Sequence, residues 1–470
     1  MSKLLLAIVV TCTLVSSTAL SQNSRTPNGA PKYVFLFLAD GGGLTHLEIA
    51  RQYRQYIHNE GMVIVDKIIK EGIVGLITTH PANSLSTDSA AAATAMANGC
   101  KAKIGALGVC ADGTMGVSAM EIARRRGMKL GLATNSTIYD ASPAAFVCHV
   151  PTRKDYPAIL RRYLEMAPDV MLGGGMDQFL PKGQPGSQRN DDIDMIAEFK
   201  KIGYRSLTNL AELQGAGSGK VLGLFNLLEM SFEIDRDKGN EPSIYDLTQA
   251  TIRLLHNQNP RGFFAFIESE NIDRASHAND IASVIHDYRE FDRAVGLAYE
   301  FYRKYPRETL IIVASDHESG GLGMTLALKD LSSTKGNNQV AGCLHDFNKI
   351  RGIKISLQSA AKLLGPNPSS EAVDKLMTEH FPGFVLAPEF REKIVNNQSM
   401  SRTIFAEPVA NALGMMVANN TQIYWQNTAH SNHPVLVAAL GVGAERFKGY
   451  YDNADFGQKL KALMEGKKQQ

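Results

Sequence analysis

The sequence has almost no net charge and no long apolar run, and these two absences exclude several classes of partner. Its 470 residues contain 49 lysines and arginines against 47 aspartates and glutamates, which gives a formal charge of +2 at pH 7. A near-neutral chain gives no indication of binding to nucleic acid or to an anionic membrane. No segment has the roughly 20 consecutive apolar residues that a membrane span needs. We therefore expect binding to be local, in a site built from a few side chains.

Cysteine is also scarce, with five in the chain, and none of them forms a CxxC pair of the kind that binds zinc. Residues 1–21 contain Cys12, and their Lys3, apolar run and small residues near a cleavage point at 19–21 form the pattern of a secretory signal peptide. We expect this segment to be removed and the chain to be exported, either to the periplasm or as a secreted protein. Export permits disulfides. Three pairings are open among the remaining cysteines, which are Cys100, Cys110, Cys148 and Cys343.

Apolar runs alternate with amphipathic helical patterns along the chain. Helical patterns such as 117–127 and 243–257 lie between short apolar and β-branched runs, which are 33–39, 72–79, 130–134, 263–267, 310–315 and 435–440. This alternation predicts an α/β fold in which helices cover both faces of a mostly parallel central sheet. Two loop-rich segments, near 181–245 and 330–420, interrupt the alternation. We expect them to be insertions in a single domain formed by 22–470.

Acidic residues directly follow three of the predicted strands. Asp40 comes after the first strand, Glu268 after the run FFAFI, and Asp316 with His317 after LIIVAS. Ligands of open α/β sheets bind beyond the carboxyl ends of the strands. Three strands are therefore expected to bring carboxylates to one edge of the sheet.

Histidines accompany these acids at the spacing expected of metal ligands. Asp273 and His277 are four residues apart and share one face of a helix, and His430 comes shortly before the last predicted strand. Carboxylates combined with imidazoles, without thiolates, are typical of catalytic metal sites. Three other histidines are interpreted as structural, namely His46, His80 and His149.

The stretch LSTDSAAAATA, residues 85–95, fits two roles. Thr87, Asp88 and Ser89 precede a run of alanines, and all three side chains are of the kind that caps the first turn of a helix. Ser89 also follows the predicted strand 72–79 and reaches the same sheet edge, where a helix N-terminus favours a phosphate. A serine becomes a good nucleophile when a base or a metal stabilises its ionised oxygen. The stretch alone leaves both a cap and a nucleophile open.

Six motifs make the sequence similar to the alkaline phosphatases of the exported bacterial type. In chain order they are FLADGGGL, TDSAAAATA, DASPAAFVCHVPTR, IESENIDRASH, ASDHESGG and AHSNHPV. The resemblance implies that Ser89 is the nucleophile and that Arg153 binds the phosphate, with Asp88 orienting this arginine. Arg274 would contact the phosphate through water. The implied reaction is the hydrolysis of small phosphomonoesters through a phosphoserine intermediate.

The resemblance also implies two zinc ions and one magnesium ion. Each zinc would have three protein ligands, which are Asp273, His277 and His430 for one ion and Asp40, Asp316 and His317 for the other. The magnesium would have oxygen ligands only, from Asp40, Ser142 and Glu268, and through water from Asp140. Histidine-containing sets suit zinc, whereas oxygen-only sets suit magnesium. His433 is the alternative to His430 as a ligand.

Two other functions are open from the sequence. The first is a phosphodiesterase of the same superfamily, which would usually carry a threonine nucleophile and lack the pattern of Glu268 and Arg153. The second is an exported, non-catalytic binding protein, which would be expected to have lost a ligand or the nucleophile, and neither is missing here. The sequence also leaves open whether the protein is a homodimer.

Overall fold

The computed structural model of the protein describes residues 29–256, 259–325, 327–328, 340–341, 346–400, 403 and 405–467. The expected signal peptide, 1–21, and Cys343 lie outside these ranges. Cys100 and Cys110 form a disulfide, whereas Cys148 is buried and free. The pairing of Cys100 with Cys110 is one of those that the sequence leaves open, and this bond closes a short loop.

The described residues form sixteen strands, ten of which make the central sheet. In chain order the strands are β1 (Tyr33–Ala39), β2 (Ile73–Ile77), β3 (Lys129–Thr137), β4 (Val170–Gly174), β5 (Tyr204–Leu207), β6 (Lys220–Leu224), β7 (Phe263–Ser269), β8 (Thr309–Ala314), β9 (Glu318–Ser319), β10 (Gly323–Met324), β11 (Ala327–Leu328), β12 (Val340–Ala341), β13 (Ile423–Tyr424), β14 (His430–Ser431), β15 (Val435–Gly441) and β16 (Gly449–Tyr451). The order across the sheet is β16-β2-β15-β8-β1-β7-β3-β4-β6-β5. Every neighbouring pair is parallel except the two formed by β15, which runs antiparallel to β2 and β8. The predicted α/β fold is confirmed, and all six predicted strands belong to this sheet.

Sixteen α-helices are found in the same part of the chain. They are α1 (Leu44–His58), α2 (Ser89–Asn98), α3 (Ala119–Arg125), α4 (Ala141–Ala145), α5 (Tyr156–Met166), α6 (Met195–Lys201), α7 (Leu210–Gln214), α8 (Ile244–His256), α9 (Asn271–His277), α10 (Ile281–Lys304), α11 (Phe347–Arg351), α12 (Leu357–Leu364), α13 (Ser370–His380), α14 (Pro388–Val395), α15 (Pro408–Thr421) and α16 (Asn453–Met464). A π-helix covers Ile64–Ile69, and short 3₁₀ helices cover Met176–Gln178 and Ala444–Phe447. Within the described ranges, no helix has the length and apolarity needed to cross a bilayer.

Helices cover both faces of the sheet because alternate residues of a strand point to opposite sides. In β1, Val34, Leu36 and Leu38 pack into an apolar cluster with α2, α3 and α16. Phe35 and Phe37 pack into a second cluster with α8 and α10 on the other face. A strand buried on both faces has a continuous apolar sequence, which is why the sequence identifies it readily.

The two segments expected to be insertions differ in structure. The first, 181–245, contains β5 and β6, which lie at one edge of the central sheet. These strands have only four and five residues, too few to stand out from the surrounding glycines and charges. In the second segment, 330–420, helices pack around a separate apolar cluster that includes Phe347, Leu376 and Leu413 together with residues of α1 and α10.

Candidate metal and phosphate site

The predicted acidic residues lie together at the carboxyl edge of the sheet. Asp40 follows β1, Asp316 follows β8, and Glu268 lies near the end of β7, opposite Leu38. His430 lies in the short strand β14, shortly before β15, instead of following a strand of the central sheet. Because β15 is antiparallel to its neighbours, however, its start lies at the same edge. The direction of this one strand explains how residues from both ends of the chain meet.

Asp273, His277 and His430 lie together as the first cluster, and the ligand atoms of Asp273 and His430 are also within 4.8 Å of that of His317. Nε2 of His277 lies 2.9 Å from Asp273 Oδ2 and 3.3 Å from Nε2 of His430. The Nδ1 atoms of the two histidines lie 2.7 and 2.8 Å from the carbonyl oxygens of Thr428 and Thr87. Because a carbonyl oxygen only accepts, Nδ1 carries a proton in both rings, and Nε2 is left as the atom that faces the cluster. Both imidazoles are thus oriented to bind a metal through Nε2, in exchange for any proton that Nε2 of His277 shares with Asp273.

Asp40, Asp316 and His317 form the second cluster, with ligand atoms within 4.8 Å of one another. Nε2 of His317 is 3.2 Å from Asp316 Oδ2 and 3.4 Å from Asp40 Oδ1. All three side chains are buried, yet Asp40 Oδ1 and both carboxylate oxygens of Asp316 have no hydrogen-bond partner among the described residues. Burial, followed by the charges of neighbouring carboxylates, raises the pKa of both aspartates. A cation would neutralise such buried acids, so this donor set fits a metal ion.

A third group, made only of oxygen atoms, lies beside the second cluster. Ser142 Oγ donates to Asp40 Oδ2 at 3.2 Å, and Thr134 Oγ1 donates to Glu268 Oε2 at 2.6 Å. Burial raises the pKa of Glu268 to about 8, and its Oε1 has no hydrogen-bond partner in the described part of the chain. One oxygen of Asp40 therefore faces His317 and the other faces this oxygen group. Such a set suits magnesium.

Ser89 is the first residue of α2, and Asp88 is the residue that caps this helix. The Asp88 carboxylate accepts a hydrogen bond from Ala91 N at 3.1 Å. Ser89 Oγ instead lies 3.1 Å from Nε2 of His317, at a helix end whose partial positive charge favours an anion. The stretch 85–95 thus contains a cap and, next to it, a serine at the second cluster.

Two carboxylates hold Arg153 at the cavity that Ser89 also lines. Nη2 of Arg153 is 2.8 Å from Asp140 Oδ1, and Nη1 is 3.5 Å from Asp88 Oδ2. Burial acts to lower the pKa of Arg153, but the charges of Asp140 and Asp88 outweigh it and raise this pKa. The guanidinium is therefore charged, and its two carboxylate partners restrict its orientation.

The structure distinguishes the remaining candidates. Arg274 lines the same cavity, and its Nη1 donates to Asn271 Oδ1 at 2.7 Å, so a neutral acceptor holds the guanidinium. His433, the alternative to His430, has a half-exposed side chain and lies 3.6 Å from Glu318 Oε2. The structure brings His430, and not His433, to Asp273 and His277.

Several residues around the clusters were not expected from the sequence. Ser319 Oγ donates to Asp273 Oδ1, and Glu318 accepts a hydrogen bond from a serine of β14. Both residues directly follow the Asp-His pair in the motif ASDHESGG, so their place in the motif was an available signal. Phe405 stacks on His277 with 4.0 Å between the ring centroids. It comes from a distant segment without a motif, so no signal in the sequence indicated it.

The first cluster opens into a cavity of about 1010 Å³, which Asp273, His277 and His430 line. Besides Ser89 and Arg153, its wall contains aromatic and amide groups, such as Tyr156 and Gln188, and many charged side chains, such as Arg274. A cavity of this size accommodates a phosphate together with a sizeable organic group.

Comparison with known proteins points to one family. The sequence profile of the alkaline phosphatase family matches residues 31–465. Alkaline phosphatase 4 of Bacillus subtilis (strain 168) is 30% identical over 438 residues, which cover 90% of this chain and 86% of that protein. The crystal structure of Thermus thermophilus alkaline phosphatase matches with a TM-score of 0.82 at 26% identity, covering 98% of this chain and 97% of that one. The cold-active alkaline phosphatase of a psychrophilic Shewanella matches with a TM-score of 0.75 at 28% identity, covering 92% and 99%.

Proposed function

The chain belongs to the alkaline phosphatase family and is a phosphatase, and we propose that it hydrolyses phosphomonoesters by a metal-dependent reaction in which Ser89 is transiently phosphorylated. The observation that carries the proposal is the position of Ser89 Oγ, at the N-terminus of α2 and 3.1 Å from His317 in the second cluster. This position supports a nucleophile that is stabilised both by the helix end and by bound cations.

The donor atoms support two zinc ions and one magnesium ion. The two histidine-containing clusters suit zinc and the oxygen-only group suits magnesium. Asp40 would be shared between a zinc and the magnesium, and its Oδ1, which has no hydrogen-bond partner among the described residues, supports this assignment. When bound, the ions supply positive charge that stabilises the ionised serine oxygen and the oxygen of the departing alcohol.

The chain's own residues bind and orient the phosphate. Backbone N–H groups at the start of α2 attract the phosphoryl oxygens, and the planar fork of Arg153 binds two of them. The Ser89 oxygen gives up its proton and attacks phosphorus, the bond from phosphorus to the alcohol oxygen breaks, and the alcohol leaves with one proton, which balances the one lost by Ser89. Water then attacks the phosphoserine, the bond between phosphorus and Ser89 breaks, one proton of the water returns to the Ser89 oxygen, and inorganic phosphate is released.

Trapping the phosphorylated enzyme tests this proposal. Metal-loaded protein is mixed briefly with a labelled phosphomonoester, quenched in acid and digested, and we expect the label on the peptide that contains Ser89. Ser89→Ala should remove the label, whereas Ser84→Ala, a change at an exposed serine of the preceding loop, should keep it. Label on another residue would refute the assignment of the nucleophile.

We also propose that the chain is exported and cleaved near Ala19 to Ser21. The pattern of residues 1–21 supports this, as does the Cys100–Cys110 disulfide, a bond typical of oxidising compartments. N-terminal sequencing of the active protein from its host should begin near residues 20–22, and an intact Met1 would contradict the proposal.

A further inference from the structure

The loop closed by the Cys100–Cys110 disulfide contacts both Asp88 and Arg153. Gly105, in the middle of this loop, donates its N–H to the two carboxylate oxygens of Asp88 at 3.2 and 3.1 Å. Its carbonyl oxygen accepts the backbone N–H of Arg153 at 2.7 Å. The side chains of Asp88 and Arg153 are in turn 3.5 Å apart. Gly105 therefore holds the backbone of Arg153 directly and its guanidinium through Asp88.

Further contacts attach the loop to α2 and to the segment before Arg153. Thr94 Oγ1, in α2, donates to the carbonyl oxygen of Ala106 at 3.1 Å and accepts the N–H of Gly108 at 3.0 Å. Leu107 and Val150 exchange two backbone hydrogen bonds, of 3.0 and 2.8 Å. Cys100 lies directly after the Gly99 cap of α2, so the disulfide ties the far end of the loop to the helix that carries Ser89.

Gly105 is needed for its backbone conformation and not for its small size. Its φ of +83° lies in the region that favours glycine, yet a Cβ at this position would meet no atom within 4 Å. An alanine would therefore disfavour the peptide orientation that makes both hydrogen bonds, without creating a clash. Gly113 has a similar φ of +88° and equally open space. Its N–H donates to Cys110 O. Gly113 is therefore a matched control whose hydrogen bond involves neither Asp88 nor Arg153.

We propose that Gly105 is a positioning residue for Arg153, and that the Cys100–Cys110 disulfide, by closing the loop, strengthens the binding of phosphate. This inference rests on the proposed function, in which Arg153 binds the phosphate. Displacing Gly105 would leave Ser89, the metal ligands and the contact between Arg153 and Asp140 in place. It would loosen Asp88 and the backbone of Arg153, so the guanidinium would be held less firmly toward the phosphate oxygens. The affinity for phosphate should therefore fall by a larger factor than kcat.

The test compares Gly105→Ala, Gly113→Ala and the double variant Cys100→Ser/Cys110→Ser. Substitution replaces chemical reduction because added thiols would bind zinc. We expect Gly105→Ala and the double cysteine variant to raise both KM and the inhibition constant of inorganic phosphate by about 10-fold. The zinc content should stay unchanged, and Gly113→Ala should match the wild type in both constants. Equal effects of the two glycine variants would overturn the positioning role, and wild-type phosphate inhibition in the cysteine variant would overturn the part of the disulfide.

An Arg153→Ala background separates positioning from a general structural effect. There, adding Gly105→Ala should change the inhibition constant of phosphate by less than about twofold, because no guanidinium remains to be positioned. An undiminished effect in that background would refute the proposal. The monoesterase activity of the wild type is measured in the same series, and its absence would refute the proposed function. In that case, the binding of inorganic phosphate, measured by calorimetry, would still decide the role of Gly105.

Discussion

The hydroxyl oxygen of Ser89 lies 3.1 Å from Nε2 of His317, so the expected nucleophile touches an expected metal ligand. The same nitrogen is 3.2 Å from Asp316 and 3.4 Å from Asp40. One imidazole nitrogen thereby connects the serine to a buried pair of acids. A cation bound at this point would lie next to all of them, so its loss should affect catalysis and stability together.

We expect metal removal to abolish activity and to destabilise the fold. Without cations, the carboxylates at this edge repel one another or must take up protons, and a ligand that binds only the folded state stabilises it. Metal-free protein, verified by elemental analysis, should unfold at lower urea concentration than metal-loaded protein at the same pH. Zinc and magnesium together should restore both properties. Full monoesterase activity in the metal-free protein would contradict the proposed function.

Asp40→Asn should be more damaging than Asp316→Asn. The two carboxylate oxygens of Asp40 face different groups, toward His317 and toward Ser142. Among the described residues, Asp316 belongs to the second cluster alone. We expect Asp40→Asn to lose magnesium as well as zinc and to reduce kcat/KM by about 10³-fold or more. Asp316→Asn should lose zinc and keep magnesium. Metal analysis of the two isosteric variants provides the comparison, and full magnesium occupancy in Asp40→Asn would show that this residue is not shared.

His430→Ala and His433→Ala form a second pair. His430 Nε2 is 3.3 Å from Nε2 of His277, whereas the His433 side chain is 49% exposed. We expect His430→Ala to lower zinc content and to reduce kcat/KM by about 10²-fold or more, and His433→Ala to remain within about twofold of the wild type. The reverse result would make His433 the ligand.

The parts of this structure that the sequence predicts are those whose signal is local. Strands buried on both faces, such as β1, appear as continuous apolar runs, and acids directly after such strands indicate the site. The sequence does not reveal β5 and β6, because they are short and lie at the edge of the sheet. The distinction between His430 and His433 and the approach of Phe405 to His277 depend on how distant segments pack, which no local pattern encodes. The same is true of the contact between Gly105 and Arg153.

His149, which the sequence analysis interprets as structural, should make stability depend on pH. Its Nδ1 is 2.9 Å from Gly108 O and its Nε2 is 3.0 Å from Glu121 Oε1, and both partners accept hydrogen bonds. Burial acts to lower the pKa of His149, but the Glu121 carboxylate and the carbonyl outweigh it and raise this pKa above 6.5. Burial acts to raise the pKa of Glu121, but His149 and a backbone N–H outweigh it, so this pKa falls below 4.5.

The pair therefore stabilises the fold fully between these two ordinary values. Its contribution is lost as the pH rises through the folded-state pKa of His149, or falls through that of Glu121. His149→Gln should lower the free energy of unfolding by about 2 kcal/mol at pH 6, and the difference from the wild type should shrink toward pH 9. Urea unfolding of both proteins at the same metal concentration measures this difference. The pH dependence of the metal ligands is common to both proteins and therefore cancels in the difference. A difference that is constant from pH 6 to pH 9 would show that His149 is not charged.

Arg153 should determine the preference for monoesters over diesters. A phosphomonoester dianion has three unsubstituted oxygens, so two can bind the guanidinium fork while the third faces the metal clusters. A diester has two such oxygens and must place its second ester group against the arginine or against the metal ligands. We therefore expect the wild type to hydrolyse a monoester much faster than the matched diester.

Removing the guanidinium of Arg153 should reduce the preference for the monoester over the diester. Loss of one charge-stabilising donor typically reduces the rate by about 10²–10³-fold, and Arg153→Ala should approach this loss for the monoester and lose less for the diester. Arg153→Lys serves as the control, since it keeps the charge but lacks the planar pair of donors, and it should give an intermediate ratio. The measurement is kcat/KM for both substrates in the three proteins. A wild type that prefers the diester, or a ratio that Arg153→Ala leaves unchanged, would favour a phosphodiesterase, because the site would then make no use of the third unsubstituted oxygen.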